Sequence, residues 1–303
     1  MMDPQPPEHP TLSGALSTKR TWKFSALSLL VALLVQTSLS LFTYPTAAAW
    51  VSQFNQSNIA FDQTLANSQK AKSDLIGMLD DAHRYNDVLE SGAFLAGGAN
   101  VASGTGTSTA ALDYWDLLTA TPTGTMARLR IPSIGVDLPV YHGTDDETLM
   151  LGVGHLEGTS LPVGGEGTRT VLTGHRGLVT ATMFSDLDKI AEGDTFSIEV
   201  LGQVVTYRVF EIQVVDPSAN EAIRAVPGRD LATLVTCTPL GINTQRILIT
   251  GERVTPTPAS DLDSMGSRPE VPGFPWWLVF YAAATLVIWT WFWRSGCPLR
   301  SAA

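Results

Sequence analysis

Two stretches of the chain are long, apolar and free of charge, one near each end. The first covers residues 24–42 and the second covers 274–293. Each has about the length that an α-helix needs to cross the hydrocarbon core of a membrane. Basic residues lie on the terminal side of both, namely Lys19, Arg20 and Lys23 before the first and Arg294 and Arg300 after the second. The positive-inside rule therefore predicts cytoplasmic termini and an exterior location for 43–273.

The first apolar stretch has a second interpretation, a cleaved signal peptide. Ala47, Ala48 and Ala49 follow it and form a small-residue site of the kind that signal peptidases cut. The apolar run is longer than a usual signal core, which favours an uncleaved membrane anchor. Under either interpretation the middle of the chain is exported.

Between these stretches the pattern changes from helical to strand-like. From Ala47 to about Glu90 apolar residues recur at helical spacing among polar ones, which predicts helices. Residues 91–110 are mostly Gly, Ser, Ala and Thr without a period, which predicts a flexible loop. The segment 112–118 is compatible with a short helix.

From Met126 onward, short β-rich runs alternate with Gly and Pro, which predicts strands joined by turns. Gly202-Gln203 is a two-residue link with glycine first, which suits a type II′ hairpin. The whole pattern indicates a mainly β domain, an antiparallel barrel or sandwich. The predicted strands are 127–131, 136–141, 170–173, 195–201, 204–215, 231–236 and 246–250.

These patterns divide the chain into seven parts. In order they are a disordered cytoplasmic tail (1–23), a transmembrane helix or signal peptide (24–42), a helical extension with a loop (43–123), a β domain (124–255), a proline-punctuated linker (256–273), a transmembrane helix (274–293) and a cytoplasmic tail (294–303).

Charge and cysteine content narrow the function. The formal net charge is −10, so we expect no nucleic-acid partner, because such binding needs a basic surface. Of the two cysteines, Cys237 lies in the predicted exterior and Cys297 lies beyond the second apolar stretch. The membrane would separate them, so no disulfide between them is expected. Cys237 is then a lone exterior thiol, either a small buried hydrophobe or a nucleophile.

Two other residues make the nucleophile interpretation stronger. Cys237 ends a predicted strand before Pro239, and Arg246 opens the next strand, so a hairpin-like connection would place them side by side. His175 lies between glycines just after another strand, where a substrate backbone can approach closely. Each residue alone has an ordinary structural interpretation. Together they supply a nucleophile, a proton carrier and a fixed positive charge, which suit acyl transfer through a thioester.

Four blocks of the sequence resemble the sortases, the cysteine transpeptidases of Gram-positive bacteria. The resemblance is closest to class C, the pilus-assembling type. In family order the blocks are Arg130–Ile134, Gly152–Gly165, Thr173–Gly177 and Thr233–Pro239 continuing to Arg246, within about residues 124–253.

The resemblance implies a sortase-type closed β-barrel with an N-terminal helical extension, flanked by two transmembrane helices. It implies that Cys237 is the nucleophile, that His175 carries the proton and that Arg246 binds the oxyanion and orients the substrate. It gives His155 a structural role and implies no metal or organic cofactor.

The same resemblance implies an enzyme of the cell membrane with an extracellular catalytic domain. Its expected substrates are secreted pilin or surface proteins that carry an LPXTG-like sorting signal, which is cleaved between Thr and Gly. The expected acceptor of the acyl group is a pilin lysine amine.

The chain departs from class C in two places. Class C sortases often carry an Asp-Pro-aromatic lid motif before the barrel, and no such triplet occurs here. The matching region is 91–110, and Asp113-Tyr114-Trp115 is a weak substitute, so a weak or absent lid is expected. Gln245 stands where close relatives often have His, with little expected effect on the chemistry.

Three alternatives remain at this stage. A sortase that anchors surface proteins to peptidoglycan would use the same three residues with a different amine. A non-catalytic membrane scaffold is disfavoured by the intact set of residues, and a peptide-releasing cysteine protease would need water to outcompete an amine. The second apolar stretch and the helical extension favour pilus assembly.

Overall fold

The computed structural model describes residues 22–89, 93–94, 103–104, 112–119 and 124–297. The chain forms two compact units, one spanning 44–277 and one built from the chain before and after that range. The helices are α1 (Ala26–Ser68), α2 (Lys72–Val88), α3 (Asp146–Leu151), α4 (Ala259–Ser264) and α5 (Trp276–Ser295). The strands are β1 (Ala93–Phe94), β2 (Ser103–Gly104), β3 (Thr125–Ile131), β4 (Val136–His142), β5 (Val153–His155), β6 (Arg169–Thr173), β7 (Thr195–Val200), β8 (Gln203–Val215), β9 (Leu231–Thr238) and β10 (Gln245–Arg253).

Eight of these strands close into a barrel in the order β10-β8-β7-β3-β4-β5-β6-β9. The predicted mainly β closed barrel is confirmed, but the sheet is mixed rather than antiparallel as the strand pattern suggested. The pairs β4–β5 and β6–β9 run parallel. A parallel pair needs a crossover between its strands, and α3 supplies it between β4 and β5. Strand β5 escaped the sequence analysis because it is only three residues long and contains a glycine.

The β7–β8 hairpin differs from its predicted turn. Val200 pairs with Gln203, so the two loop residues are Leu201 and Gly202. Their φ angles are 46° and 80°, and positive φ at both positions identifies a type I′ turn rather than type II′. Leu201 is buried in the core, and its packing offsets the cost of the left-handed backbone.

Alternate residues of the barrel strands fill a single apolar interior. Each fully buried Leu, Ile or Val contributes about 1.5–3 kcal/mol relative to an exposed one. Members of this core from six different strands are fully buried, namely Leu129, Val140, Leu172, Ile198, Leu234 and Ile249.

Helices α1 and α2 account for the predicted helical extension. In α2, Leu79, Ala82 and Tyr85 are buried at three-residue spacing, as an amphipathic helix requires. The part of α1 that belongs to the barrel unit is attached through polar side chains. Ser57 Oγ donates to the Asp137 carbonyl at 3.0 Å, and Gln63 Nε2 donates to the Thr125 carbonyl at 2.8 Å.

The segment predicted as a linker, 256–273, is packed on the barrel and contains α4. Thr206 Oγ1 donates to Asp261 Oδ2 at 2.7 Å. The guanidinium of Arg130 donates to the Ser264 carbonyl at 2.8 Å. This segment is therefore part of the folded unit, because its backbone supplies acceptors for arginines of β3.

The smaller unit contains the two apolar stretches as helices. Both α1 and α5 are long and apolar enough to cross a membrane, judged by length and composition. Within this unit Gln36 Nε2 donates to Tyr281 Oη at 2.8 Å and to Thr285 Oγ1 at 3.2 Å. Helix α1 continues without a break through Ala47–Ala49, the alternative cleavage site.

Two predictions fall largely outside the described residues. These are the disordered tail at the N-terminus and the loop 91–110 with its weak lid. Within that loop only the short antiparallel pair β1–β2 is described.

Candidate active site

Cys237 and Arg246 face each other across the β9–β10 hairpin. They are directly paired in the antiparallel register, in which neighbouring pairs join Thr236 to Ile247 and Thr238 to Gln245. Directly opposed side chains of an antiparallel pair lie on the same face, with Cβ atoms roughly 4.5–5.5 Å apart. The adjacency expected from the sequence is therefore present, and it follows from a local hairpin.

His175 reaches the same site through the parallel β6–β9 pair. Thr173 is in register with Val235, so two further residues along each chain lead to His175 and Cys237. The pairing continues past the strand end, because Gly174 N donates to the Val235 carbonyl at 3.1 Å. Thr236 Oγ1 also donates to the Gly174 carbonyl at 2.8 Å. All three predicted site residues therefore lie at one end of neighbouring strands.

The loop that carries His175 packs tightly against Phe184. Phe184 is fully buried, and its amide donates to the His175 carbonyl at 3.0 Å. The Phe184 ring lies against Gly174, where an added Cβ would come within 2.7 Å of a ring carbon. Glycine is thus required at position 174 by the close approach of an aromatic ring.

Burial and charge act in opposite directions on the reacting pair. Burial raises the pKa of the Cys237 thiol above its ordinary value, and the positive charge of Arg246 opposes this rise. Burial lowers the pKa of His175, and the negative charge of Asp146 in α3 opposes this fall. Both net shifts favour the neutral forms, so the resting site favours thiol and imidazole over the thiolate–imidazolium pair.

Arg246 is held at the start of β10 with 1 % of its surface exposed. Its Nη1 donates to the carbonyls of Asn243 and Gln245 at 3.1 and 3.0 Å. These bonds attach the guanidinium to the turn that joins β9 and β10. A planar, permanently charged donor in a water-poor site is suited to binding an oxyanion.

Exposed apolar side chains lie in the segments that follow His175 and Cys237, and the sequence analysis missed them. Val179, Leu240 and Ile242 are 67 %, 58 % and 69 % exposed, and we call them the apolar rim. Leu240 lies close to Gly177, where an added Cβ would be 2.4 Å from its Cδ1. The available signal was a Leu and an Ile inside the turn after Cys237, where polar residues are usual.

His155 lies elsewhere, in a buried network. It is fully buried on β5, its Nδ1 is 3.0 Å from Tyr114 Oη, and its Nε2 is 2.9 Å from the Ser160 carbonyl. Burial lowers the pKa of His155 to about 4. These contacts fit the structural role that the resemblance implied.

Asp113-Tyr114-Trp115, the weak substitute for a lid motif, belongs to the same network. Tyr114 is buried, and its hydroxyl accepts a hydrogen bond from Gly143 N at 3.0 Å. Its ring packs edge-on against His142. These contacts hold Tyr114 at the ends of β4 and β5.

Among the described residues, no group of three or more His, Cys, Asp or Glu side chains is arranged to hold a metal ion. The chemistry available at the site is that of a thiol, an imidazole and a guanidinium. This combination supports covalent acyl transfer.

Comparison with known proteins identifies the family of the chain. The family model described as "Sortase domain" matches residues 129–254. A curated relative, sortase D of Bacillus subtilis, is 32 % identical over 130 residues, which cover 42 % of this chain and 63 % of that protein. The chain thus matches less than two thirds of this relative.

Solved structures match over a longer range. Sortase C-1 from Actinomyces oris is 49 % identical with a TM-score of 0.54, over 59 % of this chain and 98 % of that one. Sortase C of Streptococcus pneumoniae, whose structure is described in terms of catalysis and pilin substrate specificity, is 40 % identical with a TM-score of 0.57, over 64 % of this chain and 94 % of that one. The chain therefore belongs to the sortase family of cysteine transpeptidases, and its structural likeness is to the class C members.

Proposed function

We propose that this protein is a membrane-anchored transpeptidase that joins pilin subunits. It would cleave an LPXTG-like sorting signal through a thioester on Cys237 and transfer the acyl group to a pilin lysine amine. The observation that carries the proposal is the register of β6, β9 and β10, which aligns His175, Cys237 and Arg246 at one barrel end.

In the proposed first half-reaction the thiol attacks the threonine carbonyl of the signal. His175 accepts the thiol proton as the C–S bond forms, because the neutral imidazole is the favoured resting form. The guanidinium of Arg246 donates to the oxygen that becomes negative. His175 then returns the proton to the leaving glycine amine, the C–N bond breaks, and a thioester remains.

The second half-reaction reverses these roles. A lysine amine attacks the thioester carbonyl and gives up a proton to His175 as the new amide bond forms. The C–S bond breaks, and the thiolate of Cys237 recovers a proton from the imidazolium. Atoms and charge balance without any further reactant.

The apolar rim supplies a suitable surface for the Leu and Pro of such a signal. Val179 follows His175 along the chain, Leu240 and Ile242 follow Cys237, and all three are exposed. Burial of such side chains against a ligand contributes about 25 cal/mol per Å². The signal would therefore be bound mainly through apolar contacts.

The pilin as acceptor rests on the likeness to class C structures, of which the pneumococcal protein is described by its pilin substrate specificity. A membrane location rests on the two apolar helices α1 and α5. The extracellular placement of the barrel rests on the basic residues at the terminal side of both.

The experiment presents the full chain in lipid nanodiscs with a labelled peptide that carries an LPXTG-like signal. Two acceptors compete at equal concentration, a lysine-containing pilin peptide and a peptidoglycan-type diamino peptide. We expect the lysine isopeptide to dominate and the Cys237→Ala variant to give no product. A predominance of the peptidoglycan-type product would indicate wall anchoring, and a predominance of hydrolysis would indicate a protease. The absence of any reaction would indicate a scaffold. Each of these outcomes contradicts the proposal.

A further inference from the structure

A second arginine, Arg176, follows His175 directly and uses all three of its nitrogens. Its Nη1 donates to Thr238 Oγ1 at 3.1 Å, and its Nε donates to the Ser185 carbonyl at 3.3 Å. Its Nη2 lies 2.7 Å from Asp188 Oδ2, and 9 % of the side chain is exposed. One guanidinium thus connects three segments of the chain.

The bond to Thr238 has a special position. Arg176 is one residue beyond His175, and Thr238 is one residue beyond Cys237. The Arg176–Thr238 bond therefore joins the segments that follow β6 and β9, just beyond His175 and Cys237. The backbone pairing of β6 with β9 has already ended there. On the other side of His175 and Cys237, the hydrogen bond from Gly174 N to the Val235 carbonyl joins the same two segments. The histidine and the cysteine are thus bracketed by a connection on each side.

The other contacts of Arg176 fix the remainder of the loop. Ser185, whose carbonyl it binds, also accepts from Gly177 N through Oγ at 3.1 Å. Arg176 is thereby attached to the segment 185–188 through its side chain, and Gly177 is attached through its backbone amide. The loop that presents His175 has little freedom as long as the guanidinium keeps its fork of donors.

The charge of Arg176 is directed to Asp188 rather than to the thiol. The ion pair of Arg176 with Asp188 is short, and the cation that lowers the Cys237 pKa is Arg246. The contribution of Arg176 at the site is therefore geometric.

We propose that Arg176 is a positioning residue that holds the His175 imidazole beside the Cys237 thiol during both half-reactions. The role of the pair itself rests on the proposed function. A misplacement of about 1 Å at such a pair can cost a hundredfold in rate.

The test uses the full chain in nanodiscs with Arg176→Lys, which keeps the charge but replaces the fork by a point donor. We expect kcat for peptide cleavage to fall about tenfold to a hundredfold, which corresponds to about 1.4–2.8 kcal/mol, while KM stays near the wild-type value. The pH profile of Cys237 alkylation by iodoacetamide should lose rate near neutral pH, because a displaced neutral imidazole no longer accepts the thiol proton as the reagent is attacked. Exogenous guanidinium should partly restore kcat in Arg176→Gly.

Two variants of Thr238 test the same contact from its other end. Thr238→Val removes the acceptor at nearly constant shape and should reproduce the loss in kcat. Thr238→Ser keeps the hydroxyl and should stay close to wild type. Because Arg176→Lys already disturbs the contact with Thr238, its combination with Thr238→Val should be little worse than Arg176→Lys alone.

The matched control is Arg229→Lys. Arg229 also uses a fork, with Nε and Nη2 bound to Glu252, but it lies outside the site. This variant should leave kcat and the alkylation profile unchanged.

Two outcomes would overturn the proposal. One is an unchanged kcat and alkylation profile in Arg176→Lys and Thr238→Val. The other is a loss of activity that is explained by a smaller folded fraction, as a lower melting temperature would show, while the folded protein keeps the wild-type alkylation profile. Alkylation needs no sorting signal, so the positioning role is decided even if the wild-type protein cleaves no such peptide, a result that would instead refute the proposed function.

Discussion

At the scale of single residues, the site combines two groups whose burial opposes their charged forms, Cys237 and His175. Cys237 is 7 % exposed, and the pKa of its thiol is raised despite the positive charge of Arg246. The pKa of His175 is lowered for the same reason. Both directions favour the neutral thiol and the neutral imidazole in the resting site.

Arg246→Lys tests the fork of donors at the oxyanion. Lysine keeps a positive charge near the thiol but cannot both bind the turn carbonyls and donate in a fixed plane. We expect kcat/KM for a sorting-signal peptide to fall by on the order of a hundredfold or more. The melting temperature should change little. Turnover close to wild type would show that Arg246 does not contact the reacting carbonyl.

His155 makes the stability of the protein sensitive to acid. Its pKa falls from 6.5 to about 4 on burial, so the unfolded chain binds more protons between these values. The stability that depends on the neutral ring is complete above pH 6.5 and is lost as pH falls toward 4. The loss is on the order of 3 kcal/mol.

Denaturant unfolding at pH 7.5 and pH 5 measures this effect. His155→Gln lacks the titrating ring, so its unfolding free energy should change less between the two pH values than that of the wild type. An equal change in both proteins would show that His155 does not cause the loss of stability in acid.

At the scale of elements, the barrel topology positions the site, and sequence alone could predict only part of it. The Cys237–Arg246 adjacency was predictable because a hairpin is local. The parallel β6–β9 pair was not, because it joins segments far apart in the sequence and depends on how the whole barrel closes. The β7–β8 turn was mispredicted because the burial of Leu201, which no local pattern reveals, decides the turn type.

Gly174→Ala tests how the His175 loop is seated. The new methyl carbon would come within 2.7 Å of the Phe184 ring, so the loop or the ring must move. We expect at least a tenfold fall in kcat, because displacement of the loop misplaces the imidazole. Phe184→Leu should restore part of the activity when combined with Gly174→Ala. Full activity of Gly174→Ala alone would show that the loop tolerates the shift.

At the scale of the whole molecule, the apolar stretches and the β domain were readable from composition and periodicity. The packing of 256–273 was not, because proline-rich segments resemble linkers whether or not they bind a surface. Here the arginines of β3 bind its carbonyls. The helix that contains the first apolar stretch runs unbroken through Ala47–Ala49.

The proposed topology places both termini in the cytoplasm. Reporter fusions at Thr11 and Ser301 should both give cytoplasmic signals, because basic residues flank the terminal side of each apolar stretch. Recovery of a mature chain that begins near Trp50 would contradict this and identify a cleaved signal peptide.

The most direct test of the account is the covalent intermediate. The full chain in nanodiscs is mixed with a peptide that carries an LPXTG-like signal, quenched with acid and mapped by mass spectrometry. We expect an adduct of the acyl fragment on Cys237 that hydroxylamine removes and that Cys237→Ala lacks. An adduct on Cys297 or on any other residue, or turnover by Cys237→Ala, would contradict this expectation.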